Sequence, residues 1–237
     1  MTFEHTSENL YVIYYGWLIA SRSGRPNAQA KAIARARPKI LIACYHTFTP
    51  QWINLSSDVQ HLLRSAGIRT FAYTTTSYGT RRVQAIQQQI RQYILGGVDG
   101  IFLDEAYNFL DASKEAYYRR LYEYTKELGA DVILNPGISD CGEAIMRVTD
   151  MLMVEHQWQH FYQANPWRHA YPPARFMGTS SNEPGAIGYV GHAVDATQAL
   201  RDTREAWANG VGWHYSTDRY ITLPPWFLDY ARTVRSP

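Results

Sequence analysis

A short apolar run followed by a longer amphipathic run recurs about every 30 residues along this chain, the spacing of a βα unit. Eight such units fit into its 237 residues. Several of the short runs are apolar at every position, as strands buried on both faces of a sheet are. The predicted strands are Tyr11 to Trp17, Lys39 to Tyr45, Ile68 to Thr74, Val98 to Asp104, Asp131 to Asn135, Met151 to Glu155, Arg175 to Thr179 and Val211 to Tyr215.

The longer runs between these strands carry their apolar residues on one helical face. Two clear examples are the sets Val83, Ile86, Ile90, Ile94 and Tyr117, Leu121, Tyr124, Leu128. Residues typical of helix ends flank these runs. They are side chains that cap the first turn of a helix and glycines that follow its last turn. The predicted N-caps are Thr80, Ser113 and Asp195, and the glycines placed just past helix ends are Gly67, Gly96 and Gly129.

Uninterrupted alternation of strand and helix predicts the α/β class, and eight units in a chain of this length favour a closed barrel over an open sheet. The expectation is a single compact (βα)8 TIM barrel that forms one domain over residues 1–237. The sixth unit is the weakest, because His156 to Pro173 contains three prolines and several aromatic residues. A long loop is expected there as an alternative to a regular helix.

Composition excludes several classes of protein. Lys plus Arg number 23 against 21 for Asp plus Glu, so the chain lacks the cationic field that nucleic acids attract. The longest apolar run, Tyr11 to Ala20, is too short to span a bilayer. Met1 to Leu10 resembles no secretion signal, so a cytoplasmic protein is expected if this N-terminus is native. Cys44 and Cys141 form no metal-binding pattern and are expected to be buried thiols.

Carboxylates terminate two of the predicted strands. The fourth strand ends in Asp104 followed by Glu105, and the sixth ends in Glu155. Active sites of TIM barrels lie at the carboxyl ends of the strands, and alternation along each strand places Asp104 and Glu155 on matching faces. A pair of carboxylates across a glycosidic bond is the minimum equipment of a glycoside hydrolase. The alternative is structural, in which such acids cap a helix or pair with Arg.

The roles of the three acids differ in this interpretation. Asp104 is expected to be the nucleophile or the stabiliser of the transition state, and Glu155 the general acid/base, by analogy with retaining barrels that carry the nucleophile on strand four. Strand alternation places Glu105 on the opposite face from Asp104, so it reaches the site only if the chain turns after Asp104. Its alternative role is to pair with Arg81 or another cation.

Aromatic and polar residues near strand ends are candidates for binding sugar. The chain has 7 Trp, 18 Tyr and 8 Phe, and aromatic rings offer an apolar face to a pyranose while the Tyr hydroxyl and Trp indole form hydrogen bonds. Packing in the core is the competing role for about half of them. The candidates are Tyr15, Trp17, Tyr45, His46, Tyr73, Tyr78, Tyr107, Asn135, Trp158, Trp213 and Tyr215.

Five short motifs in this order resemble the spherulin-4-like glycoside hydrolases, from about Ile68 to the C-terminus. They are Ala72 to Arg81, Gly97 to Glu105, Asn135-Pro136-Gly137, the strand that ends in Glu155, and Gly212 to Asp218 before Leu223-Pro224. The resemblance implies a secreted TIM barrel that cuts α-1,4-linked galactosamine and N-acetylgalactosamine polymers. It also implies that Asp104, Glu105 and Glu155 are the catalytic carboxylates.

Other interpretations rank lower. His156 and His160 stand four residues apart beside Glu155, which on a helix is the spacing of metal ligands, but no further histidine joins them, so no metal or other cofactor is expected. The glycines at 178–185 and 210–212 match no phosphate-binding pattern. A barrel that binds polysaccharide without cleaving it remains open as the alternative function. The expected partner is a polysaccharide or oligosaccharide, and the sequence predicts no oligomeric state.

Overall fold

Eight parallel strands form one sheet in the order of the sequence, so each strand pairs with the strands before and after it. The computed structural model describes residues 10–47, 52–138, 140–155, 163–181 and 195–235, and for Glu155 and Ser181 it describes the backbone alone. The strands are β1 (Tyr11–Tyr14), β2 (Ile40–Ala43), β3 (Arg69–Thr75), β4 (Gly100–Asp104), β5 (Asp131–Leu134), β6 (Met151–Glu155), β7 (Phe176–Ser181) and β8 (Trp213–Thr217).

A parallel bridge between Leu10 and His214 joins the two edges of this sheet and closes it into a barrel. The described helices are α1 (Ala28–Ala36), α2 (Ser57–Ser65), α3 (Val83–Leu95), α4 (Glu115–Glu127), α5 (Ala196–Ala208) and α6 (Phe227–Arg235). Shorter 3-10 helices span Glu143–Arg147, Pro166–Ala170 and Pro173–Arg175. The predicted (βα)8 TIM barrel is therefore confirmed.

Side chains that share a register position fill the barrel in layers. Ile13 pairs with Ile42, Ile42 with Phe71, and Phe71 with Gly100. At Gly100 a Cβ atom would lie 2.2 Å from the Phe71 ring and 2.8 Å from the Asp131 carbonyl oxygen. A glycine stands there because the neighbouring ring occupies the space of a side chain.

Most strand boundaries differ from the predicted ones by one to three residues, and β6 matches in full. The eighth strand begins late, at Trp213 and not at Val211. The Val211 N–H donates to the Ala206 carbonyl, so this residue belongs to the end of α5. In the sixth unit, Gln163 and Ala164 are α-helical, and the prolines from residue 166 onward lie in or next to two short 3-10 helices. Residues 156–162 lie outside the described part.

Helix caps were predicted correctly in part. Asp195 caps α5 through a bond from the Gln198 N–H, whereas α3 and α4 begin at Val83 and Glu115, beyond the predicted caps Thr80 and Ser113. Gly67 and Gly129 have the left-handed conformation expected after a helix. After α3 it is Gly97, and not Gly96, that is left-handed.

Both cysteines carry free thiols. Cys141 is buried as expected, but Cys44 is only half-buried, since it follows β2 at the open end of the barrel. Burial raises the pKa of the Cys44 thiol to about 11 and that of Cys141 to about 12. No helix among the described residues has the length and apolarity needed to cross a membrane.

Candidate active site

Asp104 ends β4 at the carboxyl face of the barrel and is held by two side chains from the neighbouring strands. The Asn135 Nδ2 atom, just past β5, donates to Asp104 Oδ1 over 2.8 Å. The Tyr73 hydroxyl on β3 lies near the same carboxylate, which raises the pKa of that hydroxyl through its charge and as a hydrogen-bond acceptor. Donors on both sides fix the orientation of the carboxylate and stabilise negative charge on it.

Asn135 is itself held so that its amide can point only one way. Its Oδ1 atom accepts a bond from the Gly137 N–H over 3.0 Å, which leaves Nδ2 to face Asp104. Its backbone N–H donates to the Leu103 carbonyl and its carbonyl accepts from the Ala106 N–H, so the β5 end is tied to β4 on both sides of Asp104. The side chain is almost completely buried. An amide in this setting acts as a fixed donor.

Tyr73 is a donor that keeps its proton. Burial raises the pKa of its hydroxyl well above the usual range, and the charge and hydrogen bond of Asp104 raise it further, as does the charge of Glu105. The Tyr73 ring packs against Tyr15 at 5.3 Å and against Phe102 at 6.1 Å. The hydroxyl is thus a neutral donor on a wall of rings.

Glu105 leaves the strand direction immediately after Asp104. Its φ angle of 49° is left-handed, so the chain turns where β4 ends, which is the condition under which its side chain was expected to reach the site. The Thr75 hydroxyl donates to Glu105 Oε2, and the Ser77 hydroxyl lies 3.4 Å from the same oxygen. Two hydroxyls on the β3 end therefore anchor the second carboxylate beside the first.

Left-handed backbone also marks the turn that faces Glu105. Ser77 and Tyr78 have φ angles of 46° and 55°, and the Tyr78 N–H donates to the Glu105 carbonyl over 2.6 Å. The Thr76 hydroxyl donates to that same carbonyl over 2.8 Å and contacts the Tyr118 hydroxyl. Strained conformations of residues other than glycine gather at functional sites, where the surrounding bonds hold them. The ends of β3 and β4 form such a place.

A family of known proteins matches most of this chain. The model of spherulation-specific family 4, Spherulin4, matches residues 45–234. This chain belongs to the Spherulin4 family. Spherulin-4 of Physarum polycephalum is 40% identical to it over 79 residues, a stretch that covers 32% of this chain and 23% of Spherulin-4.

Solved structures share the barrel of this Spherulin4 chain at low identity. A class V chitinase from Pseudomonas fluorescens Pf-5 is 12% identical with a TM-score of 0.63, and the match covers 96% of this chain and 100% of that one. A deoxyribose-phosphate aldolase from Toxoplasma gondii ME49 is 13% identical with a TM-score of 0.57, over 99% and 98% of the two chains. Identities this low show the common fold alone.

Four of the predicted sugar-binding residues lie at the carboxyl face of the Spherulin4 barrel around Asp104. Asn135 donates to its carboxylate, and the Tyr73 hydroxyl lies beside it. Tyr15 packs against Tyr73 and, at 5.6 Å, against Tyr220. Tyr78 is exposed on the strained turn beside Glu105. These four residues and the two acids form the candidate active site.

Three more predicted residues lie on the loops around it. Trp17 is exposed on the loop after β1. His46 is half-buried after β2, where burial lowers its pKa and Gln92 lies 3.3 Å from its ring. The Tyr107 hydroxyl donates to Asp111 over 2.7 Å on the loop after β4, so it is already engaged away from Asp104.

Three predicted residues lie elsewhere, and we correct their placement. Tyr45 is only 5% exposed and stacks on Tyr93 of α3 at 4.7 Å, in the layer between sheet and helices. Trp213 is the first residue of β8, at the amino end of the barrel, where it donates to the Ala174 carbonyl. Tyr215 is fully buried against Tyr11 and offers a ligand no surface.

Two predicted positions stay untested. Trp158 lies outside the described residues, as do His156 and His160. The backbone of Glu155 ends β6 and pairs in register with Thr179, but its side chain is not described. The rest of the described chain contains no group of three His, Cys, Asp or Glu residues that could hold a metal ion.

Sequence reasoning missed the residues that hold the site. Thr75 and Ser77 anchor Glu105, whereas the cation considered for that role, Arg81, donates to the Thr75 carbonyl and to Gln89. No Lys or Arg of the described ranges forms an ion pair with Glu105. The signal was present as a run of four hydroxyl residues at the β3 end, Thr74 to Ser77.

Proposed function

We propose that this chain is a glycoside hydrolase that cleaves α-linked galactosamine or N-acetylgalactosamine polysaccharide. One observation carries the proposal: Asp104 stands at the carboxyl end of β4 between the Asn135 amide and the Tyr73 hydroxyl. A strand-end acid whose role is to cap a helix or pair with Arg has no need of two fixed neutral donors. A carboxylate that attacks an anomeric carbon needs a fixed position and a stabilised negative charge.

Asp104 is the nucleophile or the stabiliser of the oxocarbenium-like transition state in this proposal. The two donors keep its carboxylate oriented, which limits the loss of entropy when the substrate reacts. The neutral Tyr73 and Asn135 side chains add no charge that would cancel the attraction between Asp104 and a developing positive charge. This environment favours electrostatic stabilisation over proton donation.

Glu155 is the proposed general acid/base, with Glu105 as the alternative. Glu155 has the parity of Met151 and Met153 on β6, so strand alternation predicts that it faces the barrel interior as Asp104 does. Leu103 pairs with Leu134 and Leu134 with Leu152, so Glu155 stands two residues further along its strand than Asp104. This offset of the backbone corresponds to ~7 Å along a strand.

Family membership supports the proposal, and the fold is consistent with an active site at the face of the barrel that carries Asp104, because active sites of this fold occupy that face whatever their chemistry. The amino sugar itself comes from the resemblance of the motifs to the spherulin-4-like hydrolases. The half-exposed rings of Tyr15 and Tyr73 beside Asp104 provide the apolar surface that a pyranose requires.

The experiment incubates the protein with partly acetylated α-1,4-galactosamine polymer and measures new reducing ends. Asp104→Asn is expected to abolish release, and Glu155→Gln to lower it by about 10²- to 10⁴-fold, the usual contribution of a general acid/base. Glu123→Gln, an exposed acid of α4, is the control and is expected to retain full activity.

Circular dichroism and melting curves establish that each variant is folded. Unchanged release by folded Asp104→Asn would exclude this acid from the mechanism. Binding of the polymer by wild type without any release would identify the alternative function, a barrel that binds polysaccharide without cleaving it. Glu105→Gln tested alongside decides whether the second acid of the pair shares the role of Glu155.

A further inference from the structure

Two tryptophans on adjacent loops form an aromatic surface outside the carboxylate site. Trp17, after β1, meets Trp52, after β2, edge to face with the ring centroids 5.7 Å apart. The Arg22 guanidinium lies 5.2 Å above the Trp52 ring. Trp17 remains 39% exposed, so part of its ring offers apolar surface to a ligand. We call Trp17, Trp52 and Arg22 the tryptophan platform.

The platform is rigid, because buried hydrogen bonds tie its two loops together. The Asn54 side chain accepts from the Leu18 N–H over 2.7 Å and donates to the carbonyls of Gly16 and Cys44 over 3.1 and 3.2 Å. The Trp17 carbonyl accepts from Asn27 Nδ2, and the same side chain caps α1. A surface fixed in advance loses little entropy when it binds a ligand.

The platform lies close to the candidate active site along the chain. Tyr15 packs against Tyr73, whose hydroxyl contacts Asp104. Trp17 follows Tyr15 by two residues, so their Cα atoms are at most ~7 Å apart. A polymer bound at Asp104 therefore has only a short distance to extend beyond Tyr15 before it reaches the platform.

We propose that the tryptophan platform is a remote subsite that binds a sugar unit of the same polysaccharide away from the cleaved bond. Trp rings stack on the apolar face of a pyranose, and the Arg22 guanidinium and the indole N–H groups supply donors for its hydroxyls. The inference rests on the proposed function for the identity of the ligand. Such a subsite adds affinity for long chains and leaves the chemical step unchanged, so it affects KM and not kcat.

The first test measures binding without cleavage. Affinity electrophoresis in gels that contain the galactosamine polymer is run on Asp104→Asn, with and without Trp17→Ala. Trp17→Ala is expected to weaken binding by at least about five-fold, as truncation of a central binding Trp does. Trp17→Phe keeps a ring and is expected to retain most of the affinity. Leu95→Ala is the control, since Leu95 is 77% exposed at the end of α3, before β4.

The second test measures kinetics in the active protein. Trp17→Ala and Trp52→Ala are expected to raise KM for the long polymer, with kcat unchanged and with no effect on the shortest oligomer that is cleaved. Equal binding and equal KM in the Trp17→Ala and wild-type proteins would overturn the subsite even if hydrolysis is established. Weaker binding by Trp17→Ala in a protein without any hydrolysis would support the subsite and refute the proposed function.

A second copy of the chain is the competing occupant of the platform. Analytical ultracentrifugation without sugar separates the two cases. A wild-type dimer that Trp17→Ala converts to monomers would overturn the subsite and identify the platform as a subunit contact. Sedimentation that is the same for both proteins, together with the expected loss of polymer binding, would support it.

Discussion

Acidification should destabilise the barrel through one buried histidine. His214 on β8 is completely buried between the sheet and α5, with its Nδ1 atom 3.0 Å from the Thr203 hydroxyl and its Nε2 atom 3.2 Å from the Ser180 hydroxyl. Burial lowers its pKa from 6.5 to about 3. The neutral imidazole is therefore the form that the folded protein holds.

The hydrogen bonds around His214 fix which nitrogen carries the proton. The Thr203 hydroxyl donates to the Ala199 carbonyl, so toward His214 and Tyr230 it can only accept. Nδ1 therefore carries the hydrogen, and Nε2 accepts from Ser180. A proton added to Nε2 would face the Ser180 hydroxyl, which donates to this nitrogen in the neutral form. That hydroxyl would have to rotate away, which adds to the free-energy cost of charging the buried ring.

The sign and size follow from linkage. Between pH 6.5 and 3 the unfolded chain binds a proton that the folded chain does not, so stability is lost as pH falls through this window. From these two pKa values the loss between pH 7 and pH 5 is ~2 kcal/mol, and it approaches ~5 kcal/mol below pH 3.

Urea unfolding of wild type and of His214→Gln at pH 7, 6 and 5 measures the effect. The variant is expected to be less stable at pH 7 but to lose ~2 kcal/mol less than wild type between pH 7 and 5. The comparison cancels groups that titrate in both proteins, among them His46, whose pKa burial also lowers, and Asp202, whose pKa burial raises. Parallel pH dependences in the two proteins would refute the argument.

Three further predictions concern the site and its supports. Asn135→Ala should lower kcat by about 10- to 100-fold with KM nearly unchanged, since a hydrogen bond to a charged group contributes ~1.5–3 kcal/mol; a normal kcat would remove Asn135 from the site. Asn54→Ala should cost ~1–3 kcal/mol of unfolding free energy, because it strands the buried Gly16 and Cys44 carbonyls, and an unchanged urea midpoint would contradict this. Gly100→Ala should lower the melting temperature more than Gly67→Ala, because the new methyl group meets Phe71, whereas at Gly67 it strains the backbone in open space; the reverse order would disprove the clash.

Periodicity predicted the barrel because eight apolar strands can be buried only if helices cover the outside of a closed sheet. It predicted the strand ends less accurately where hydrogen bonds of a turn replace those of the sheet. Val211 is an example, because its N–H donates to the Ala206 carbonyl at the end of α5. In the site, the position of Asp104 followed from the alternation of side chains along a strand. The position of Glu105 depended on a turn, which only the left-handed backbone at Glu105 in the structure reveals. Tyr45 and Tyr215 were misplaced because an aromatic side chain near a strand end satisfies packing and binding patterns equally well.

The amino-acid sequence by itself determined the order of the strands and the two acids at the end of β4, because hydrophobic period and chain direction are local properties. Tertiary structure decided what surrounds those acids: the amide of Asn135, the hydroxyls of Thr75, Ser77 and Tyr73, and the tryptophan platform. The side chains that surround the two acids come from neighbouring strands and loops, 28 to 31 residues away along the chain. Such distant groups meet only when neighbouring strands pair in the correct register, so their contacts depend on the tertiary structure and not on any local pattern.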